Sequence, residues 1–351
     1  MFADTTETEG VPVLRFGIVG LGRISPAHLG AVAAAGGEVV ATCDCDPTRR
    51  RPEYKYYSSL EEMLRRERLD VLSVCTPNWL HTDHARRGLA HGLHCIVEKP
   101  LTTDAEDARR LGDAAAAAAR MIFPVLQNRF NTLVKRVKQT VAAGAVGELR
   151  AVAMTQRWYR PDGYFADWHG SRRESGGMFL TLGIHYVDLM AYFAGGEPTN
   201  IRATVENRYG RAEVEDFVAA SFKLGGADAA VTFEVQPTAP GAANELRLRL
   251  EGTKGVVVLG GGTAEKLETW DCAAPRPPDE TRPRNEYGEF SGSLALHPDL
   301  YRDVVAVLER GARPTVPYAA ALSSLRLTEM IYEAAGVRPG GFRLDTGKAL
   351  A

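Results

Sequence analysis

Val13-Leu14-Arg15-Phe16-Gly17-Ile18-Val19-Gly20-Leu21-Gly22-Arg23-Ile24-Ser25 is the stretch that decides the fold. Val13–Gly20 is an apolar run bounded by turn residues, as a strand of a parallel sheet covered on both faces requires. A helix is predicted to follow over Pro26–Ala35. Working outward, the alternation continues with strands at Glu38–Cys43, Val71–Cys75, His94–Glu98 and Met121–Val125. Helices are predicted between them, near Leu60–Arg66, Thr82–His91 and Ala105–Ala119. Strands alternating with helices at this spacing are β-α-β units with right-handed crossovers, and they build a doubly wound parallel sheet.

From about Gly147 the pattern changes. Segments near Glu148–Trp158, Ile201–Tyr209, Glu213–Leu224, Ala229–Val235, Glu245–Glu251 and Gly255–Leu259 are joined by short Gly-rich turns. Their partial alternation predicts a large, mainly antiparallel open sheet with one face packed. Gly176–Phe193 has helical apolar spacing, Asp271–Ser293 reads as a long surface excursion, and helices near Asp299–Arg310 and Tyr318–Ala335 close the chain. The expected organisation is α/β. After about eleven mobile residues come a dinucleotide-binding domain over 12–125 and an α+β domain over 126–337, its last helix packing back toward the first.

The chain's 351 residues suit two domains, each with its own core. Forty-two Lys+Arg against 44 Asp+Glu leave a net charge of −2, with no basic excess for nucleic acid or an anionic membrane. The acidic start and the absence of an 18-residue apolar run predict a cytoplasmic protein. The five cysteines, none in a C-x-x-C pair, are expected to be reduced core thiols.

Gly20-Leu21-Gly22-Arg23-Ile24-Ser25, between a strand and a helix, lets the backbone approach a pyrophosphate held at a helix N-terminus. Ser25 stands where Gly or Ala is usual. Asp44 follows about twenty residues on, where a carboxylate accepts from ribose hydroxyls and repels a 2′-phosphate, so NAD is expected over NADP. Arg49, Arg50 and Arg51 lie close by and are read as a solvated helix face. Thr76, Asn78 and His81 at the third strand's end are further candidates for cofactor contacts. Without another Cys or carboxylate at ligand spacing, His81 and His84 predict no metal site.

Glu98-Lys99-Pro100 ends the fourth predicted strand. A lysine there faces the nicotinamide end of the cleft, where burial beside positive charge lowers its pKa toward proton transfer, and a cis Pro100 could aim it. On the helix within Gly176–Phe193, Thr181 and His185 share a face, with Asp188 a turn further on. A histidine so placed can exchange a proton near neutral pH or serve as a buried structural group.

These motifs together, with Cys43-Asp44-Cys45-Asp46-Pro47, Cys75-Thr76-Pro77-Asn78-Trp79-Leu80-His81 and Trp168-His169-Gly170-Ser171-Arg172-Arg173-Glu174-Ser175, resemble the glucose–fructose oxidoreductase and inositol dehydrogenase family over about Val13–Val337. The resemblance implies nicotinamide-dependent oxidation or reduction of a sugar or cyclitol hydroxyl. Lys99 and His185 fall on the family's catalytic lysine and histidine. Position 181, commonly Asp or Asn, is Thr here. A hydroxyl cannot stabilise an imidazolium as a carboxylate would, so proton transfer leans on Lys99.

Short strings such as Val125-Leu126-Gln127-Asn128-Arg129-Phe130-Asn131 are similar to the nucleotide-sugar 3-dehydrogenase branch. That likeness implies a substrate cleft lined or flanked by Gln127, Arg129, Tyr164, Trp168, Arg172, Arg173, Thr181 and His185, with the arginines on a diphosphate or carboxylate. It also implies a homodimer or homotetramer. The alternatives are an inositol or aminocyclitol dehydrogenase, an NAD-dependent glycosidase working by transient C3 oxidation, and a non-catalytic nucleotide sensor.

Overall fold

The computed structural model describes residues 13–225, 229–237, 244–287 and 291–337. Residue 12, the eleven residues before it and part of the predicted 271–293 excursion lie outside the described residues.

The first sheet has six parallel strands: β1 (Arg15–Val19), β2 (Glu38–Cys43), β3 (Lys55–Tyr57), β4 (Val71–Val74), β5 (His94–Val97) and β6 (Ile122–Pro124), in the order β3-β2-β1-β4-β5-β6. Helices α1 (Ser25–Ala34), α2 (Leu60–Arg66), α3 (His81–Ala90) and α4 (Ala105–Ala117) connect them. The order reverses between β1 and β4, which is where ligands of open α/β sheets sit. Five of the strands match the sequence expectation. β3, only three residues long, carries too little pattern to be read.

Helix α5 (Thr132–Ala142) then leads into the second sheet. The sequence reading passed over it, because Leu133, Val134 and Val137 are β-branched or ambiguous. The signal was its N-cap, Asn131, whose Oδ1 accepts from the N–H groups of Leu133 (2.8 Å) and Val134 (3.1 Å). The long strand β7 (Leu149–Trp158) precedes two four-residue helices, α6 (Asp162–Phe165) and α7 (Arg172–Ser175). A π-helical turn over Phe179–Gly183 then runs directly into α8 (Ile184–Ala194).

Strands β8 (Pro198–Glu206), β9 (Phe217–Leu224), β10 (Ala229–Pro237), β11 (Glu245–Gly252), β12 (Gly255–Gly260) and β13 (Lys266–Asp271) complete a sheet ordered β13-β12-β11-β7-β10-β9-β8. It is mixed rather than wholly antiparallel, because β10 lies parallel to β7 through eight register pairs. The predicted surface excursion contains a short hairpin, β14 (Arg284–Glu286) with β15 (Ser291–Leu294).

Arg172–Ala194 is long and apolar enough to cross a membrane. Its apolar window is 83% buried inside the protein, as the central helix of the second core. After β15, α9 (His297–Arg310) returns to the first core, where Leu300, Tyr301, Val304 and Val307 pack with β1 and β4 residues. The last helix, α10 (Tyr318–Ala334), contributes Leu325 to the first core and Leu327 and Ile331 to the second, and so pins the two together.

Candidate active site

The β1–α1 turn has the geometry of a dinucleotide cradle. Gly20 adopts φ +91°, and a Cβ there would lie 2.7 Å from the Cys75 carbonyl and the Thr76 nitrogen, so only glycine fits. A Cβ on Gly22 would meet nothing within 4 Å, which leaves open space where a pyrophosphate has to come close. The Ser25 hydroxyl donates to the Gly22 carbonyl at 2.8 Å, so the departure from Gly or Ala locks the loop without filling the cradle. Arg23 and Ile24 follow on the same turn. Arg23 is half-exposed, 3.8 Å from Asp167.

Asp44 sits at the end of β2 and accepts from the N–H groups of Leu21 (2.6 Å) and Asp46 (2.9 Å). Its carboxylate therefore faces the glycine loop. Arg49 stands 3.7 Å from Asp44 and 3.3 Å from Asp46. It is thus closer to the ribose position than a purely solvated face would place it.

The other predicted cofactor residues have their polar atoms turned inward. The Asn78 amide donates to the Ser175 carbonyl (2.7 Å) and to Thr181 Oγ1 (3.1 Å). His81 lies between the carbonyls of Pro100 (2.7 Å) and Thr76 (2.8 Å), and the Thr76 hydroxyl meets His84 at 3.1 Å. Glu98 points away from the cleft into a buried histidine pair.

Lys99 precedes the cis peptide bond to Pro100, and its Nζ donates to the backbone carbonyl of Thr181 at 2.8 Å. That carbonyl belongs to the π-helical turn, whose altered hydrogen-bond ladder brings it toward the lysine. Thr181 thus meets Lys99 through its backbone. Its hydroxyl donates to the Gly177 carbonyl (2.9 Å) and accepts from Asn78, so it is engaged away from His185. Burial lowers the pKa of Lys99; neighbouring Glu98 opposes this and the Arg160 guanidinium reinforces it. His185 is 5% exposed and its Nδ1 has no partner among the described residues. Burial, then the charge of Lys99, pushes it down to about 3, so it is a neutral hydrogen-bonding group at physiological pH.

The predicted anion-binding arginines are mostly committed elsewhere. Arg129 makes a bidentate pair with Asp188 (2.8 and 2.7 Å) under the Tyr192 ring. Arg172 donates to Glu215 at 2.9 Å, and Glu215 in turn accepts from the Phe179 N–H and the Tyr332 hydroxyl. Arg173 is exposed. Gln127 donates to Ser293 at 3.0 Å. Trp168 meets Trp79 edge-on at 6.0 Å, across the mouth between the two halves.

Sequence reasoning missed Arg160. It is 4% exposed, stacks at 4.8 Å from the Trp158 ring and 5.3 Å from that of Tyr164, and acts electrostatically on Lys99. Around it, Gln156 Oε1 and Trp158 Nε1 are buried without hydrogen-bond partners among the described residues. Buried polar groups are normally satisfied, so these two atoms are exceptions on the strand that leads to Arg160.

Residues 14–125 match the oxidoreductase family with an NAD-binding Rossmann fold, and residues 134–258 match the GFO/IDH/MocA C-terminal domain. The WlbA dehydrogenase of Bordetella pertussis, solved in complex with NADH and UDP-GlcNAcA, is 30% identical. The likeness covers 95% of this chain and 100% of that one, with a TM-score of 0.83. Inositol 2-dehydrogenase of Rhizobium meliloti (strain 1021) is 26% identical over 253 residues, 70% of this chain and 74% of that protein. The rhizopine catabolism protein MocA of Rhizobium meliloti is 30% identical over 193 residues, 54% of this chain, and the match spans 59% of MocA's length. With the glycine cradle, the inward Glu98-Lys99-Pro100 and the second sheet all in place, the chain belongs to the GFO/IDH/MocA family of oxidoreductases, and its first sheet is that family's NAD-binding Rossmann fold.

Proposed function

We propose that this protein is an NAD-dependent dehydrogenase acting on a ring hydroxyl of a sugar, most specifically C3 of an anionic, nucleotide-linked amino sugar. The observation that carries the reading is Lys99: a lysine at the end of a Rossmann strand, lowered by burial and held by a backbone carbonyl beside unsatisfied polar groups. A lowered pKa makes the neutral amine, the form that can accept the hydroxyl proton, easier to reach.

NAD, when bound, supplies the hydride acceptor. Gly20, Gly22 and the α1 N-terminus hold the pyrophosphate, and Asp44 holds the ribose. Lys99 accepts the proton from the substrate hydroxyl. His185, neutral, hydrogen-bonds the substrate and orients it. Gln156 and Trp158 offer an acceptor and a donor to sugar hydroxyls. Arg160, which donates to the Tyr159 carbonyl at 2.8 Å and acts electrostatically on Lys99, is read as the guanidinium that receives an anionic part of the substrate. In this reading residues 12–125 hold the dinucleotide and 126–337 the substrate, and the open sheet of the second half joins copies of the chain.

The likeness to WlbA over 95% of the chain supports the nucleotide-sugar assignment. The test is initial-rate NADH formation with UDP-N-acetylglucosamine, its uronate, glucose 6-phosphate, glucose, myo-inositol and an aminocyclitol. The anionic UDP-sugar is expected to react at far lower concentration than the neutral compounds. A preference for myo-inositol or the aminocyclitol would reject the substrate class and keep the dehydrogenase. No NADH with any compound, but aglycone release from a nitrophenyl glycoside, would reject both.

A further inference from the structure

Behind Lys99 lies a buried polar cluster that the reaction itself leaves unused. Glu98 Oε1 accepts from His28 Nε2 at 2.9 Å and from His297 Nε2 at 3.3 Å, while Oε2 accepts from the backbone N–H of Lys99 at 3.0 Å. His28 lies on α1, behind the glycine loop, and His297 opens α9. His28 Nδ1 is 2.7 Å from the Tyr301 hydroxyl, itself 2.7 Å from the Ser73 hydroxyl on β4. His28, His297, Tyr301 and Ser73 are all 0% exposed.

The protons can be placed. A carboxylate only accepts, so both Nε2 atoms carry hydrogen. His28 Nδ1 is then a lone pair that takes the Tyr301 proton, and the Tyr301 oxygen takes that of Ser73. Burial pushes His28 down, which favours its neutral form. Burial opposes the ionised form of Glu98, but the two histidine donors hold its carboxyl well below the usual carboxylate range. The three ligand atoms also lie within 4.8 Å of one another. A hydrogen on each Nε2, however, leaves those atoms no lone pair for a cation.

A buried charged network is weak as a source of stability, because well-packed apolar groups do as well. What this one supplies is geometry: it ties α1, the end of β5 and the start of α9 to one carboxylate adjoining Lys99. We propose that His28, Glu98 and His297 are positioning residues for Lys99, locking the helix behind the dinucleotide loop, the lysine and the helix returning from the second sheet into one body. The proposal rests on the reading of Lys99 as proton acceptor.

The lysine is faced by Glu98 from its own strand, Arg160 from the end of β7, His185 from α8, His81 from α3 and His169 from the turn before α7. Glu98 in turn faces Cys75, Tyr287 and Tyr301 besides the two histidines. In this setting Glu98 is the anion that raises Lys99.

The experiment uses the full-length protein with NAD and UDP-N-acetylglucosaminuronate, measuring kcat against pH, NAD affinity by fluorescence titration, and melting curves. Glu98→Gln removes the anion, so the acid limb of kcat should move to lower pH by about one unit. If that variant does not fold, His28→Gln is read in its place; weakened support of Glu98 should lower kcat by about tenfold at unchanged NAD affinity. His297→Leu should lower kcat by about tenfold with NAD affinity unchanged, and His297→Gln, which keeps a donor, should restore it. Lys99→Met separates the two readings. Retained turnover in that variant would remove the proton-acceptor assignment itself. Loss of turnover there, with an unmoved limb in Glu98→Gln or with equal losses in His297→Leu and His297→Gln, would overturn the positioning role alone. Stoichiometric zinc in the purified protein would overturn it as well.

Discussion

Two cations, buried Arg129 and partly buried Lys99, lie on either side of the junction between the sheets, and they are treated in opposite ways. Arg129 has every favourable contact a guanidinium can want: two hydrogen bonds to Asp188, itself held by Ser324 at 3.0 Å, and a ring face at 4.5 Å. Lys99 has one backbone carbonyl, a repelling arginine and, beside it, a histidine with a buried unpartnered nitrogen. The satisfied cation joins α8 and α10 to the end of the first sheet. The other keeps one backbone partner and the nearby Glu98 charge, as the proposed role of proton acceptor requires. What separates the two places is how far each cation's needs are met by the protein alone: Arg129 is buried with its charge paired, whereas Lys99 is only partly buried and keeps a single backbone acceptor.

The contrast breaks most sharply on substitution. Lys99→Met should reduce turnover by about 10²–10⁴-fold, the range of general acid–base catalysis, with NAD affinity and melting temperature nearly unchanged. Asp188→Ala should do the reverse. It strands the Arg129 charge in the interior and should cost about 3–5 kcal/mol of stability, read by denaturant titration. Should the Asp188 variant instead fold normally and lose turnover selectively, the pair would belong to the site and the contrast would fail.

A smaller effect sharpens the dinucleotide side. Asp44→Ser removes the carboxylate that accepts from the Leu21 N–H and faces the ribose, and Arg49 remains nearby. The preference for NAD over NADP, measured by titrating both, should narrow by about tenfold, the size of one charge contact near the surface.

The same contrast explains what could be read in advance. The glycine loop, Asp44 and Lys99 were legible because their reasons are local: a positive φ, a missing Cβ, the end of an apolar strand. Arg160 was not, since its depth comes from stacking on Trp158 and Tyr164 and nothing in Tyr159-Arg160-Pro161 announces it. Arg129 and Arg172 were read as anion ligands because their true partners, Asp188 and Glu215, lie 59 and 43 residues away. The His28–Glu98–His297 cluster joins residues up to 199 positions apart from Glu98, beyond any spacing rule. Thr181 was read as sharing a helical face with His185; the π-helical turn, invisible to a 3.6-residue period, instead presents its carbonyl to the lysine.

The smallest effect is expected at His185. Its pKa, pushed down to about 3 by burial and by Lys99, places its titration below any working pH. Its folded-state pKa therefore lies below the unfolded value of about 6.5, and the folded protein binds fewer protons between those limits. Stability from this group is full above pH 6.5 and is lost as pH falls toward 3. The catalytic consequence is that kcat should show no inflection near 6.5 and a single acid limb belonging to Lys99. His185→Asn keeps a hydrogen-bonding group of similar reach and should cost only about three- to tenfold in kcat. The same substitution should make the melting temperature less sensitive to mild acid. A loss as large as that of Lys99→Met, or an inflection near 6.5 that vanishes in the variant, would make the histidine a proton carrier and the two residues a catalytic pair without the customary acid at position 181.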